Sequence, residues 1–267
     1  MTAGKTGSID MNGGTLTVGV LGVGNAASLT SGAGIGSVLI SAGTLNAHTI
    51  LLGSTVGGEG EMTVSGTGHV VVGGGFTAND LIMNGGTLQV LDQNPPPGED
   101  PVLDRSLVGG YLRDGAITMN AGVVTTPNLK VGVTPGFVGT FTMNGGTMTA
   151  QNLLAARGAG SVIVFNGGTI NTGHSDVDLN GTSALVVGDG MRAATLNLNP
   201  AGGSHLFADG LSISANGQLT GSGTIRGTCP ARDASPRATR PARSRSTARR
   251  LSTPWATSSR WSWAARR

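Results

Sequence analysis

Two carboxylates raise the first question of chemistry. Glu61 and Asp80 each open an alternating apolar run, "EMTV" and "DLIM", and each stands four residues before a small polar turn residue, Ser65 or Asn84. If the two phrases stack on one another, the carboxylates become neighbours. Such a pair raises a pKa and suits acid and base roles or calcium binding. Against this, no Lys or Arg in the neighbouring phrases supplies a cation, and a solvated face accounts for the same two residues. The balance favours the solvated face.

Other groups carry weaker signals. "HSDVD" (His174 to Asp178) sets an imidazole beside Asp176 and Asp178, but no serine or cysteine elbow accompanies it, and a polar corner before "ALVVG" explains it. "GGEGEM" (57 to 62) is similar to the calcium nonapeptide of toxin-repeat proteins, yet it lacks the Asp and occurs once. "LDQNPPPGEDPVLD" (91 to 104) places Asp92, Glu99, Asp100 and Asp104 in a stiff projecting loop, a weak calcium or partner site. Met11, Met62, Met83, Met119 and Met143 fall in one inward slot. No Cys or His joins them, so they read as core rather than as a soft-metal channel. No cofactor is expected.

The elements that position these groups come from an internal repeat. Its copies are "SIDMNGGTLTV" (8 to 18), "SVLISAGTLNA" (37 to 47), "EMTVSGTGHVVV" (61 to 72), "DLIMNGGTLQV" (80 to 90) and "AITMNAGVVTT" (116 to 126). "TFTMNGGTMTA" (140 to 150), "VIVFNGGTINT" (162 to 172), "TLNLNPAGGSHLF" (195 to 207) and "LSISANGQLTG" (211 to 221) complete them. Within each copy apolar residues alternate with polar ones, which is the strand period. Phe141 and Met143 lie inward before the glycine pair, Met148 and Ala150 after it. A third apolar run often follows: "TILLG" (49 to 53), "NLKVG" (128 to 132), "NLLAA" (152 to 156) and "ALVVG" (184 to 188). Three short strands and three glycine-rich corners make one coil, and length varies at the corners.

The chain is therefore expected to be all-β, a parallel β-helix over residues 1–227 with an insertion at 91–104. Crossover preference makes it right-handed. Nine coils spaced about 4.8 Å apart would stand roughly 43 Å tall. Asn12, Ser41, Ser65, Asn84, Asn120, Asn144, Asn166, Asn199 and Ser214 share the turn position, where stacking predicts a side-chain ladder. Outward threonine pairs (Thr15 with Thr17, Thr140 with Thr142, Thr147 with Thr149) suit a flat ice-binding face. Leu39, Ile82, Val162 and Val164 are read as interrupting that array, and they suggest a lateral partner or a packing loop.

Composition agrees with one elongated unit. Glycine supplies 47 of 267 residues, while charged residues make up 12% and aromatics 3%. Residues 1 to 230 carry seven Lys and Arg against thirteen Asp and Glu, a net −6, whereas 231 to 267 carry ten Arg against Asp233, a net +9. The basic charge belongs to the tail, so it implies no nucleic-acid surface on the body. Cys229 is the lone cysteine, and no apolar stretch is long enough for a transmembrane helix. No basic segment followed by an apolar run opens the chain, so no signal peptide is read in it.

Residues 228–267 form a basic tail expected to be disordered. Back-translated with GC-rich codons and read two bases further along, Pro236 to Ala248 can yield "PGNSPGTLTVDG", whose "TLTV" repeats Thr15 to Val18. The tail is accordingly read as an out-of-frame translation, and the chain as a fragment of a longer exported protein.

The "NGGTL" and "GSGTI" phrases (Asn84 to Leu88, Gly221 to Ile225) resemble glycine-rich β-helical repeats of bacterial surface proteins. Those are autotransporter passenger domains and repeats of exported proteins ending in a Pro-Glu-Pro sorting anchor. The resemblance spans about residues 7 to 227. It implies an extracellular, cell-surface or outer-membrane setting and a non-catalytic structural or adhesive role. The partner would be a surface polysaccharide or a protein of a host or neighbouring cell. The alternative is a carbohydrate-active β-helix, lyase-like or hydrolase-like, working through Glu61 and Asp80.

Overall fold

The computed structural model describes residues 6–24, 34–53, 58–91, 105–111, 113–172, 176–179, 184–198 and 204–227. These form nineteen β-strands in one sheet, without a helix. Every pairing among them is parallel. A sheet that is wholly parallel and lacks crossover helices must wind on itself. The chain is a three-sided β-solenoid.

Period-two alternation dictates what each side buries. On the first side Met11, Ile40, Val64, Met83, Met119, Met143, Phe165, Val187 and Ile213 stack in register. The second stacks Leu16, Leu45, Val70, Leu88, Val124, Met148, Ile170, Leu196 and Leu219. The third runs Leu21, Ile50, Phe76, Leu107, Leu129, Leu154, Val177, His205 and Ile225. Most of these side chains are sealed from solvent and form one continuous core. Each large apolar residue so buried contributes about 1.5–3 kcal/mol.

The corner after the first side depends on its second glycine. Gly122 sits at φ +85°, and a Cβ there would lie 2.6 Å from the Gly85 carbonyl oxygen. The preceding position is less demanding, since alanine fills it at Ala42 and Ala121. The Gly122 backbone lies in the left-handed region that L side chains resist.

Four expectations need correction. "ALVVG" is not a third side: Leu185–Val187 pairs with Val162–Phe165 on the first side. "TLNLN" then belongs to the second side, pairing Ala194–Leu198 with Gly168–Asn171 and Gly217–Gly221. The eighth winding thus begins at 184, about ten residues before the phrase that suggested it. Its second-side strand "ATLNL" has the same alternation as a first-side strand, and period alone cannot tell them apart. "DVDL" likewise is a strand, Asp176–Leu179, with Val177 and Leu179 buried, rather than a corner. Met62 leaves the methionine column as well. It stacks on Val38 and Leu81, one slot away from Met83.

Candidate functional site

The Glu61 strand, Glu59–Val64, pairs with Asp80–Val90, and Glu61 and Asp80 are direct register partners. On its other flank Glu61 pairs with Ser37. Ser37, Glu61 and Asp80 therefore climb the outer surface one winding at a time. Thr63 Oγ1 donates to Glu61 Oε1 at 3.3 Å. Burial, and then the negative charge of Glu61, holds the Asp80 carboxyl above its ordinary value of 3.8.

These residues line an open groove of about 360 Å³, together with Ile35, Gly36, Glu59, Gly60, Asn79 and Arg113. Gly60 carries no side chain for a steric reason. A Cβ on Gly60 would stand 2.5 Å from both Gly53 N and Val23 O, so the coils approach too closely there for any side chain.

Arg113 corrects the expectation that no cation lies near the carboxylate pair. Nothing in local sequence revealed it, because 52 positions separate it from Glu61. It reaches the groove because the next winding returns over the same slot: Ala116, three residues on, is the register partner of Asp80. Its corner is pinned by side chains. Asn79 accepts the Gly60 N–H at 3.2 Å and donates to the Asp114 carbonyl at 3.1 Å. Asp114 Oδ1 in turn accepts the Val138 N–H at 2.7 Å.

At the turn position, amides join along the axis. Asn120 donates to Asn84, Asn144 to Asn120 and Asn166 to Asn144, each at 2.8 Å. Arg192 Nη1 adds a bond to Asn144 Oδ1 at 3.4 Å. The next step belongs to Gly188, whose N–H donates to the Phe165 carbonyl just as the Asn166 N–H donates to that of Met143. With no side chain there the amide run stops. Ser214, one winding further, donates instead to the Val187 and Gly188 carbonyls at 2.9 and 2.6 Å. Ser41 donates to the Met11 carbonyl at 3.2 Å, and the Ser65 N–H bonds the Ile40 carbonyl. Asn12 occupies a register irregularity in the first winding. Asn199, expected in this column, follows a second-side strand and lies outside the described residues.

Beside Gly188, Asp189 Oδ1 accepts the Arg192 and Met191 N–H groups, each at 2.8 Å. Those two backbone bonds lower its pKa, the one from Arg192 most.

The second side presents an uncharged outer face. One outward column reads Thr15, Thr44, His69, Thr87, Val123, Thr147, Thr169, Thr195 and Gln218. The other reads Thr17, Asn46, Val71, Gln89, Thr125, Thr149, Asn171, Asn197 and Thr220. Neither holds a Lys, Arg, Asp or Glu. Leu39, Ile82, Val162 and Val164 stand on the first side in the columns of Thr140 and Thr142, which they interrupt as expected. Side chains bond along this face too: Asn197 donates to Asn171 at 3.1 Å and Thr220 to Asn197 at 3.0 Å.

Asp92, Glu99, Asp100, Asp104 and His174 lie outside the described residues, as do residues 228–267. Asp178 pairs with Arg157. Among the described residues, no group of three or more His, Cys, Asp or Glu is placed to hold a metal ion, and no helix is long and apolar enough to cross a membrane. The chain matches no family model, no curated protein and no solved structure.

Proposed function

We propose that this chain is a non-catalytic structural or adhesive β-helical stalk segment of a bacterial surface or secreted protein. The observation that carries this reading is the unbroken, uncharged second-side face, laid over core columns that run the length of the solenoid. Stacked windings give a stiff support, and columns of β-branched threonine hold hydroxyls and methyls in few rotamers. A face of that kind makes many weak neutral contacts and repels neither sign of charge. Adhesion of protein-coated beads to polysaccharide-coated and cell-coated surfaces tests it. Thr147→Lys/Thr169→Lys should abolish adhesion while leaving the far-ultraviolet spectrum unchanged. Undiminished adhesion by that variant would remove the face from the account.

A second reading is favoured by one observation, the presence of Arg113 in the groove with Glu61 and Asp80. Two coupled carboxylates and a cation are the parts a carbohydrate-active solenoid needs for acid and base work. Polysaccharide cleavage by the wild type that is lost in Glu61→Ala/Asp80→Ala would establish it. Absence of cleavage across acidic and neutral polysaccharides leaves the stalk.

A further inference from the structure

Two threonine-bearing faces lie on different sides of the solenoid, and only the second-side face is regular. Leu39, Ile82, Val162 and Val164 break the columns of the first side and stand clear of the second. From 123–125 to 218–220 the second-side strands stack without a register shift, through 147–149, 169–171 and 195–197. Beneath them Met148, Ile170 and Leu196 are sealed from solvent, so the face has a firm backing. The two outward columns differ in what they leave free. In the column through Asn171, Asn171 donates to Thr149 at 3.5 Å, Asn197 to Asn171 at 3.1 Å and Thr220 to Asn197 at 3.0 Å. In the column through Thr169, Thr147, Thr169 and Thr195 are half-buried, and among the described residues no side-chain bond occupies their hydroxyls.

We propose that the second-side face binds ice. Its outward groups recur at about 4.8 Å along the axis, one per winding, and at about 6.6 Å across a strand, two residues apart. Both distances lie near the repeat of oxygen atoms on a prism face of ice. Ice is neutral, and each of its oxygens both donates and accepts, as a threonine hydroxyl does. The adjoining methyl gains by leaving liquid water. β-Branching holds hydroxyl and methyl in few rotamers, and the bonds through Asn171 and Asn197 fix the other column, so little freedom is lost on contact. An ionic mineral or a charged polymer finds no counter-charge in either column. A lipid surface would have to strip water from hydroxyls and amides along nearly the whole face. A dissolved molecule reaches few of these groups, whereas a crystal surface engages the array at once. This inference rests on the reading of the second-side face as the adhesive one and names the surface to which it adheres.

The test is slow growth of ice on a cold finger in a dilute solution of the full chain, with serum albumin as the control. Protein is then measured in the ice and in the remaining liquid, and crystal shape is followed by microscopy. The wild type should be taken up into ice and should facet the crystals. Thr169→Tyr and Thr147→Tyr, which each raise a ring out of the face, should be rejected into the liquid like albumin. Thr142→Tyr, on the first side, should be taken up like the wild type, and all three variants should keep the wild-type far-ultraviolet spectrum. Rejection of the wild type, undiminished uptake of both second-side variants, or equal loss in Thr142→Tyr overturns the proposal. Beads that adhere to polysaccharide or to cells while the protein stays out of ice also overturn it and keep the adhesive face. Uptake into ice without bead adhesion supports it and removes those other partners, so the two readings fail separately.

Discussion

Asn120 donates its side-chain amide to Asn84 Oδ1 at 2.8 Å, although 36 residues separate them along the chain. The bond exists because a winding lengthened by an insertion still returns in register, with Met83 on Met119 and Leu88 on Val124. Asn120 also accepts from Asn144, so it makes two ladder bonds while Asn84 makes one.

That asymmetry sets the first expectation. Asn120→Ala removes two amide bonds and Asn84→Ala one, and each is worth about 0.5–1.5 kcal/mol net, towards the low end where water can replace it. Asn120→Ala should therefore lower the urea midpoint about twice as far as Asn84→Ala. Equal shifts in the two variants would mean that the ladder adds nothing beyond local turn contacts.

Phe141 is 1% exposed and stacks between Ile117 and Ile163, whereas its neighbour Thr142 points outward. Phe141→Ala should cost about 3–5 kcal/mol through lost burial and the cavity left behind. Because each winding is held by its neighbours, that loss should split thermal unfolding into two steps in calorimetry. Thr142→Ala should change stability by no more than about 0.5 kcal/mol. Comparable losses would contradict the inward and outward assignment.

Those two residues also mark what the sequence made legible. Strict alternation placed Phe141, Met143, Met148 and Ala150 inward, and all four are buried. Period two reports which face a residue takes but not which side of the solenoid its strand occupies. That is why Ala194–Leu198 reads as a first-side strand. Arg113 escaped notice for another reason: a corner residue has no period, and only the returning winding brings it to Asp80.

Corner chemistry yields a sharper contrast. At Gly122 an added Cβ meets the Gly85 carbonyl oxygen at 2.6 Å and φ is +85°, so Gly122→Ala should destabilise by about 1–3 kcal/mol. Ala121→Gly, one residue earlier, should cost less than about 1 kcal/mol, through added freedom of the unfolded chain. Chemical denaturation of the pair decides it. A benign Gly122→Ala would show that the corner relaxes without the left-handed conformation.

Asp80 supplies the pH dependence. Burial and the neighbouring Glu61 charge raise its folded-state pKa above 3.8, so between 3.8 and that raised value the folded chain holds a proton that the unfolded chain releases. Stability must then fall as pH rises through this window, because the unfolded state binds fewer protons. The penalty is absent below 3.8 and complete above the raised value. Asp80→Asn keeps the shape without the charge, so it should be more stable than wild type at neutral pH and equal to it below 3.8. Glu61→Gln removes the second cause alone and should recover part of that gain. Denaturation midpoints of the three proteins across the acid range provide the measurement. An Asp80→Asn variant less stable than wild type at neutral pH would show that the groove stabilises this carboxylate in its ionised form.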